Sequence, residues 1–305
     1  ASIPWVSNLF GGTTTKPEKA LAESRGLIEH HRLHVRDKKR LLLTEAWLDY
    51  YGDRNWEAAK RKFRLFCRER PAVQGGKVAY AQFLSDIEGR YDEAHRWIDL
   101  ALESEPHNFG HLHNKSGIYR SSVKYEKSLA LADKILLAQP QHWNALTNSA
   151  YCQMKLGNYE DAVRRARDAV TLADGNMASR SQLATVLVRS PRIEEQTEGK
   201  ALYEDLLLEK KTGETGELFF DEGWLAGVAT GLGLEEEALD LLQRAADGKG
   251  RWSILTLRQA GIVEDLGHSP RYWEIIDQLG FPELPIGHPQ RELEQNMRFG
   301  RGGGL

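Results

Sequence analysis

The chain has 305 residues, with 41 basic and 44 acidic side chains and a formal net charge of −3 at pH 7. This balance gives no overall electrostatic attraction to nucleic acid or to an anionic membrane, so neither is an expected partner. No apolar run reaches the length of about 18 residues that a membrane-spanning helix needs, and no direct membrane span is predicted.

Residues 1–16 predict an irregular N-terminal arm, which carries the apolar side chains of Trp5 and Phe10. Two interpretations of the arm are open. It is either a segment next to a removed membrane helix or signal peptide, which would bring it near a membrane, or an arm that docks on the first helices. Pro17 then favours the start of a helix that runs to about His34.

Cys67 and Cys152 are the two cysteines, and both fall in predicted helices with apolar neighbours. They are expected to be buried free thiols rather than a disulfide. Two cysteines fit the cytoplasm, which is slightly favoured, and do not exclude the periplasm.

A period of about 34 residues organises the middle of the chain. Pro106 and Pro140 lie one such period apart, and Pro71 precedes Pro106 by a period and one further position. The similar turns at 89–94 and 157–162 lie two periods apart. A repeat of this length, with a small residue at the helix crossing and proline after the second helix, resembles the tetratricopeptide repeat (TPR).

The resemblance implies an all-α fold, a right-handed superhelical solenoid of about six helix pairs over residues 17–284 with a C-terminal capping helix. Only Ala, Gly or Ser allows the helices of a pair to approach to the ~8–10 Å of close packing, and proline ends the second helix. In residues 177–216 the repeat is degenerate, and Ala201 is the expected crossing residue there. Residues 285–305 predict an extended or disordered tail. The clearest repeats are 40–74, 75–108, 109–142, 143–176 and 219–252.

The end of the chain carries a second resemblance. Residues 224–246 predict a helix pair, and 269–282 contain a Pro-Arg-Tyr-Trp helix that finishes in Leu-Gly-Phe-Pro. This module is similar to the end of the TPR domains in bacterial ToxR/CadC-like regulators and class III adenylyl cyclases, over roughly residues 37–284. The resemblance implies a sensory or protein-interaction module. The sequence has no winged-helix DNA-binding domain and no cyclase domain. The DNA-binding or cyclase activity of those proteins is therefore not expected here.

No catalytic or cofactor motif is found. Gly75-Gly76-Lys77 lacks the other residues of a phosphate-binding loop, and the Gly-x-Ser-x-Gly motif of serine hydrolases does not occur. His30 and His34 are four residues apart on one helix, but no glutamate follows the first histidine as in zinc hydrolases. A second group, His107, His111 and His113, spans a repeat junction. Polar surface positions are favoured for both groups, and neither a metal, a cofactor nor an enzyme activity is predicted.

The first helix of each pair is expected to line the concave face of such a solenoid. Asn114 and Asn148 share one register there, one period apart. Stacked asparagines resemble the ladder by which some TPR proteins hold an extended peptide, since an amide offers both a donor and an acceptor. The candidate peptide-binding residues are Asn114, Asn148, His113, Arg120, Asn144, Thr147, Tyr151, Tyr80 and Phe83, and the same face includes Ala79, Asp86 and Met154.

The sequence therefore predicts a non-enzymatic scaffold that binds a partner protein or peptide in the concave groove. Lys115 alone does not make the lysine-and-asparagine clamp of chaperone-binding relatives, so chaperone tails are not expected ligands. Two alternatives are open. One is the sensing domain of a bacterial membrane-bound regulator, which would recognise a ligand or a protein. The other is a structural subunit of a larger assembly.

Overall fold

A computed structural model describes residues 17–34, 38–212, 222–248, 257–258, 260–288, 291–292 and 294–296. The predicted arm, with Trp5 and Phe10, and the glycine-rich end at 300–305 lie outside these residues. Within the described ranges the regular elements are helices and no strand occurs. The predicted all-α solenoid of helix pairs is confirmed. None of the described helices is both long and apolar enough to cross a bilayer.

Helix α1 spans Pro17–His34 and precedes six helix pairs that can be followed in the described ranges. In pair 1 the first helix has three parts, a 3-10 turn Lys38–Leu41, α2 Leu42–Trp47 and a π-helical stretch Leu48–Asp53, and the second helix is α3 Trp56–Glu69. Pairs 2 to 4 are α4 Gln74–Asp86 with α5 Tyr91–Ser104, α6 Phe109–Ser121 with α7 Tyr125–Ala138, and α8 Trp143–Lys155 with α9 Tyr159–Leu172. Pair 5 is α10 Met177–Leu187 with α11 Ile193–Thr212, pair 6 is α12 Glu222–Gly231 with α13 Glu235–Asp247, and α14 Ala260–Leu266 and α15 Pro270–Gln278 follow.

The turn between the two helices of a pair is here called the pair turn, and in pairs 1 to 4 and 6 it repeats one backbone conformation. Its left-handed residue has φ of 54° at Arg54, 61° at Gly89, 60° at Val123, 83° at Gly157 and 72° at Gly233. In the first four pairs an aromatic residue begins the second helix two positions later. This repetition places the pair turns along one edge of the solenoid.

Small residues at the helix crossings are fully buried. They are Ala59, Ala94, Ser128, Ala162 and Ala238. Pair 5 differs from the prediction, because Ala201 is exposed and Gly199 lies at the crossing instead. A Cβ atom on Gly199 would lie 2.8 Å from Leu187 Cβ and 2.9 Å from Val188 N. Helix α11 begins at Ile193, and the face that meets α10 carries Gly199 rather than the expected Ala201.

The first helices of successive pairs pack side by side and form the inner layer of the solenoid. Helix α6 contacts α4 on one side and α8 on the other, and α10 contacts both α8 and α12. This layer corresponds to the concave face that the sequence predicts.

The C-terminal strap, defined as residues 279–288, returns to pair 1. Trp56 Nε1 donates a hydrogen bond of 3.0 Å to the Leu279 carbonyl oxygen. Phe281 packs against the core at both ends of the solenoid. The described part of the predicted tail is also packed, since His288 is buried and Glu294 pairs with Arg258 at 3.1 Å. The extended or disordered tail over 285–305 stays a prediction. Residues 285–288 are non-helical, as expected, but they are packed on the fold, and 291–292 and 294–296 are helical.

The crossing in pair 5 generates a stability prediction. Gly199→Ala should lower the free energy of unfolding by about 1–3 kcal/mol, because the added methyl group overlaps α10 and outweighs the gain in helix propensity. Urea unfolding followed by circular dichroism measures the change. The control Ala201→Ser, on the exposed side of the same helix, should change it by less than about 0.5 kcal/mol. A Gly199→Ala variant as stable as the parent would contradict this account of the crossing.

Candidate binding groove

Tyr80 and Phe83 do not line the groove. Tyr80 is 2% exposed and Phe83 is 0% exposed, so both belong to the core. The Phe83 ring lies 5.6 Å from Tyr50 and 5.8 Å from Phe63, and Tyr80 lies 5.3 Å from Trp97. The neighbouring helices supply aromatic partners for these large apolar surfaces, and burying them is favourable. Their predicted exposure on the concave face is wrong.

Asn148 is also buried, at the contact between pairs 3 and 4. Its Nδ2 atom donates to Ser116 Oγ at 2.6 Å and to Ser128 Oγ at 3.0 Å. Ser116 Oγ in turn lies 2.8 Å from the Ser128 carbonyl oxygen, and Ser128 Oγ lies 2.8 Å from the Ser116 carbonyl oxygen. The three side chains form one network that joins α6, α7 and α8.

The two hydroxyl oxygens also lie 3.0 Å apart, and one arrangement of the protons satisfies both carbonyl oxygens. Each serine hydroxyl has one proton, and each donates it to the opposite carbonyl oxygen. Both hydroxyl oxygens can then act only as acceptors. The two protons of the Asn148 amide fill these two positions. Asn148 is therefore committed to the packing of pair 4 on pair 3.

Asn114 has a different environment, although it shares the register of Asn148. It is half-buried, and its Oδ1 atom accepts a hydrogen bond of 3.0 Å from Gln82 Nε2. No further hydrogen bond is formed by Asn114 Nδ2 or Gln82 Oε1 with the part of the chain that the structure describes. The pair spans α4 and α6 and keeps the Asn114 NH₂ group and the Gln82 carbonyl oxygen available. Gln82 was not predicted from the sequence, because its register differs from that of the two asparagines.

Arg120 and Tyr151 form the aromatic part of the inner layer. Both are half-buried, and the Arg120 guanidinium carbon lies 5.4 Å from the centre of the Tyr151 ring. Arg120 Nε is buried without a hydrogen-bond partner among the described residues. A cation over an aromatic face is held by the quadrupole of the ring, and the remaining N–H groups can serve an acceptor from outside.

The other predicted residues of this face are half-buried on α6 and α8. Thr147 Oγ1 donates within its own helix to the Trp143 carbonyl oxygen at 3.0 Å, and Asn144 lies one turn before it. The His113 ring lies 5.6 Å from that of His142. Burial, with the charges of His142 and Arg120, lowers the pKa of His113 to about 3, so the ring is neutral at pH 7.

A carboxyl group shielded from solvent lies at the end of α4. Tyr50 OH donates to Asp86 Oδ2 at 3.1 Å. Desolvation raises the pKa of Asp86 to about 7, while the Tyr50 hydrogen bond and the charge of Arg120 lower it in part. Burial also raises the pKa of Tyr50 well above its usual value. Asp86 lies one period before Arg120, so the two residues share a register and carry opposite charges. This pairing is the feature of the sequence that could have identified Asp86.

The histidine groups do not converge on a metal site. The His30 and His34 rings lie 4.5 Å apart, and His111 Nδ1 lies 3.6 Å from Glu105 Oε2. Across the described ranges, no three His, Cys, Asp or Glu side chains are placed to share an ion.

A cleft of about 420 Å³ opens between the pair turns of pairs 4 and 5. It begins at the N-terminal end of α9 and is bounded by charged side chains, with Arg192 Nη2 lying 3.9 Å from Glu160 Oε2. The cleft lies on the edge of the solenoid rather than on the inner layer. Its lining residues are Gly157, Asn158, Tyr159, Glu160, Asp161, Ser190, Pro191 and Arg192.

Comparison with known proteins shows similarity in fold. No family model and no curated protein sequence matches this chain. Human IFIT1, solved as a dimer with m7Gppp-AAAA, aligns over 93% of this chain and 66% of its own, with 16% identity and a TM-score of 0.54. PilW, described as a widely conserved type IV pilus biogenesis factor, aligns over 66% of this chain and 90% of its own, with 19% identity and a TM-score of 0.52. A TPR protein from Thermus thermophilus aligns over 63% and 100% of the two chains, with 18% identity and a TM-score of 0.46.

At these identities the similarity concerns the fold, a TPR-like solenoid. The predicted resemblance to ToxR/CadC-like regulators and class III adenylyl cyclases stays a prediction.

The serine–asparagine network generates a second stability prediction. Asn148→Ala should lower the free energy of unfolding by about 1–3 kcal/mol, because two buried hydrogen bonds are lost and the hydroxyl oxygens lose their donor. Asn144→Ala, a half-buried position on the same helix, is the matched control and should cost less than about 0.5 kcal/mol. Equal stabilities in urea unfolding of the two variants would show that the network does not hold pair 4 on pair 3.

The Asp86 carboxyl group generates a pH prediction. Its pKa is about 7 in the folded chain, against an ordinary value of 3.8, so the folded state keeps a proton that the unfolded state has lost. The contribution of Asp86 to stability therefore falls as the pH rises from about 4 to about 7. Asp86→Asn removes this loss and keeps an acceptor for Tyr50. Relative to the parent, the variant should gain about 2 kcal/mol between pH 5 and pH 8.

Urea unfolding at the two pH values measures this gain, with the exposed Asp168→Asn as the control. A difference between parent and Asp86→Asn that stays constant with pH would be inconsistent with a protonated, desolvated carboxyl group.

Proposed function

We propose that this chain is a non-enzymatic scaffold that binds a partner protein through an extended peptide segment on the inner layer of α4, α6 and α8. The observation that carries the proposal is the Gln82–Asn114 amide pair. It is half-buried, bridges two helix pairs, and leaves the Asn114 NH₂ group and the Gln82 carbonyl oxygen unused among the described residues. A peptide unit of an extended segment offers the complementary acceptor and donor, whatever its side chains.

Arg120 on α6 and Tyr151 on α8 support the same proposal. Tyr151 offers an apolar ring that is partly accessible, and Arg120 lies over it with a buried N–H that has no acceptor in the described part of the chain. An aromatic anchor beside the backbone-binding amides would add affinity for an apolar or acidic side chain of the partner. Asn144, Thr147 and His113 are the remaining polar contacts that the proposal assigns to this face.

Asn148 has a supporting role in this proposal. Both protons of its amide already bind the serines, so it positions α8 against α6 rather than gripping the peptide. Gln182, one period further on, continues the register of Asn114 and Asn148. Its Nε2 atom is buried without a partner in the described ranges, which provides a further donor where α10 joins the inner layer.

The proposal is tested by selecting ligands from a library, which does not require the partner to be identified. A phage-displayed library of random dodecapeptides is panned on the full chain, and calorimetry gives the affinity of the selected peptides. Asn114→Ala should weaken binding by about 1–3 kcal/mol, roughly 5- to 150-fold, because a hydrogen bond to the peptide backbone is lost. Helicity and unfolding should be unchanged.

Gln141→Ala, at an exposed position between pairs 3 and 4, is the matched control and should leave the affinity unchanged. Peptides that bind the Asn114→Ala variant as tightly as the parent would refute the assignment of the inner layer as the binding face.

A further inference from the structure

The C-terminal strap lies against the pair turns of the first two helix pairs, outside the inner layer. Residues 281–284 are extended, and 285–288 form a turn in which His288 N donates to the Pro285 carbonyl oxygen at 3.0 Å and Gly287 has a left-handed φ of 83°. Leu279, Leu284 and His288 are buried. The strap and the turns that it contacts lie near opposite ends of the sequence. It has the features of a peptide ligand that is covalently part of the chain.

Side-chain donors bind the strap through its backbone carbonyl oxygens. Trp56 Nε1 lies 3.0 Å from the Leu279 oxygen, and Arg258 Nη1 lies 2.6 Å from the Pro282 oxygen. A third carbonyl, that of Leu284, accepts from Arg291 Nη1 at 2.7 Å. The prolines at 282 and 285 have no N–H to donate and favour extended backbone, so recognition through carbonyl groups suits this segment.

Aromatic contacts hold the side chains of the strap. The Phe281 ring stacks on Trp56 with the centroids 5.5 Å apart and the planes 10° apart. The Arg258 guanidinium carbon lies 5.5 Å from the centre of the Phe281 ring and adds a cation to this stack. The His288 ring lies 5.1 Å from Tyr91 at the start of α5.

Glycine at position 89 permits the close approach of the strap. A Cβ atom there would lie 2.6 Å from His288 Cδ2 and 2.9 Å from Leu284 Cδ2. Gly89 also has the left-handed φ of 61° that its pair turn requires. A pair turn with a side chain at this position would hold the strap away from α4 and α5.

Aromatic surfaces combined with N–H donors aimed at carbonyl oxygens are the chemistry by which proline-containing extended segments are recognised. We propose that the pair turns of pairs 1 and 2, with Trp56, Gly89 and Tyr91 as the contact surface and Arg258 as the flanking cation, form a binding site for such a segment. The ligand class is an extended peptide with Phe-Pro and Leu-Pro anchors. The strap is the intramolecular ligand of this site, and a peptide of the same chemistry binds there when the strap is displaced.

The covalent link between the strap and the rest of the chain lowers the apparent affinity of the site for a free peptide in the parent chain. An intramolecular segment competes at an effective concentration on the order of mM, so a free peptide of equal intrinsic affinity binds the parent only weakly. Weakening the strap should therefore increase the affinity for free peptide without any change in the site itself.

The test uses the full chain with Phe281→Ala and Leu284→Ala combined, and a fluorescein-labelled peptide of residues 277–288. Fluorescence anisotropy should show at least tenfold tighter binding to this double variant than to the parent. Adding Trp56→Phe keeps an aromatic surface but removes the indole N–H. This triple variant should bind the peptide at least fivefold more weakly than the double variant. Adding Asn114→Ala instead should leave this affinity unchanged, which separates the site from the inner layer.

Ile286→Ala is the matched control, since Ile286 lies in the same strap but is 91% exposed. It should bind the peptide as weakly as the parent. A helical double variant that binds no tighter than the parent, or binding that Trp56→Phe leaves unchanged, would overturn the proposal. If circular dichroism shows that the double variant has lost helicity, Leu284→Ala alone carries the same test, and failure to gain affinity in it would overturn the proposal equally.

Discussion

Close approach of the two helices within each pair is the constraint on which the structure depends. At five crossings the residue is alanine or serine with no exposed surface, and in pair 5 it is glycine against the backbone of Val188. The choice of serine in pair 3 has consequences beyond that pair. A buried hydroxyl needs a hydrogen-bond partner, and Ser116 and Asn148 provide it. Because Ser128 Oγ needs a donor, the Asn148 amide is used inside the fold and is not available to bind a ligand.

The return of the C-terminal residues to pair 1 is the second organising feature. Arg54, in the first pair turn, donates to the carbonyl oxygens of Ala246 and Gly248 at the end of α13. Lys155 and Arg189, at the ends of the first helices of pairs 4 and 5, pair with Glu264 and Asp265 on α14 at 3.5 and 2.8 Å. The last helices therefore contact the pair-turn edge at several pairs. The chain itself covers parts of this edge, while the inner layer keeps the amides and the Tyr151 ring partly accessible.

Sequence reasoning predicts what depends on local periodicity. The spacing of the repeats, the preference for small residues at the crossings and the prolines that follow the second helices all result from steric rules that act within one repeat. Exposure within the inner layer does not follow from these rules. Tyr80 and Asn114 occupy equivalent positions, but Tyr80 is buried because Trp97 covers it. The sequence shows that Asn114 and Asn148 share a register. It does not show that Asn148 is bonded to two buried serines, which depends on the packing of α6, α7 and α8. The packing of residues 279–288 was missed because its partners, Trp56 and Gly89, lie far away in the sequence.

The most direct test of the scaffold function is NMR of the side-chain amide groups in the full chain, ¹⁵N-labelled and titrated with a peptide selected on it. If the inner layer binds the peptide, the NH₂ signals of Asn114 and Gln82 shift during the titration, while that of the exposed Gln141 stays in place. If only the Trp56 indole signal and those of the strap respond, the partner binds at the pair-turn edge and the inner layer is not the binding face.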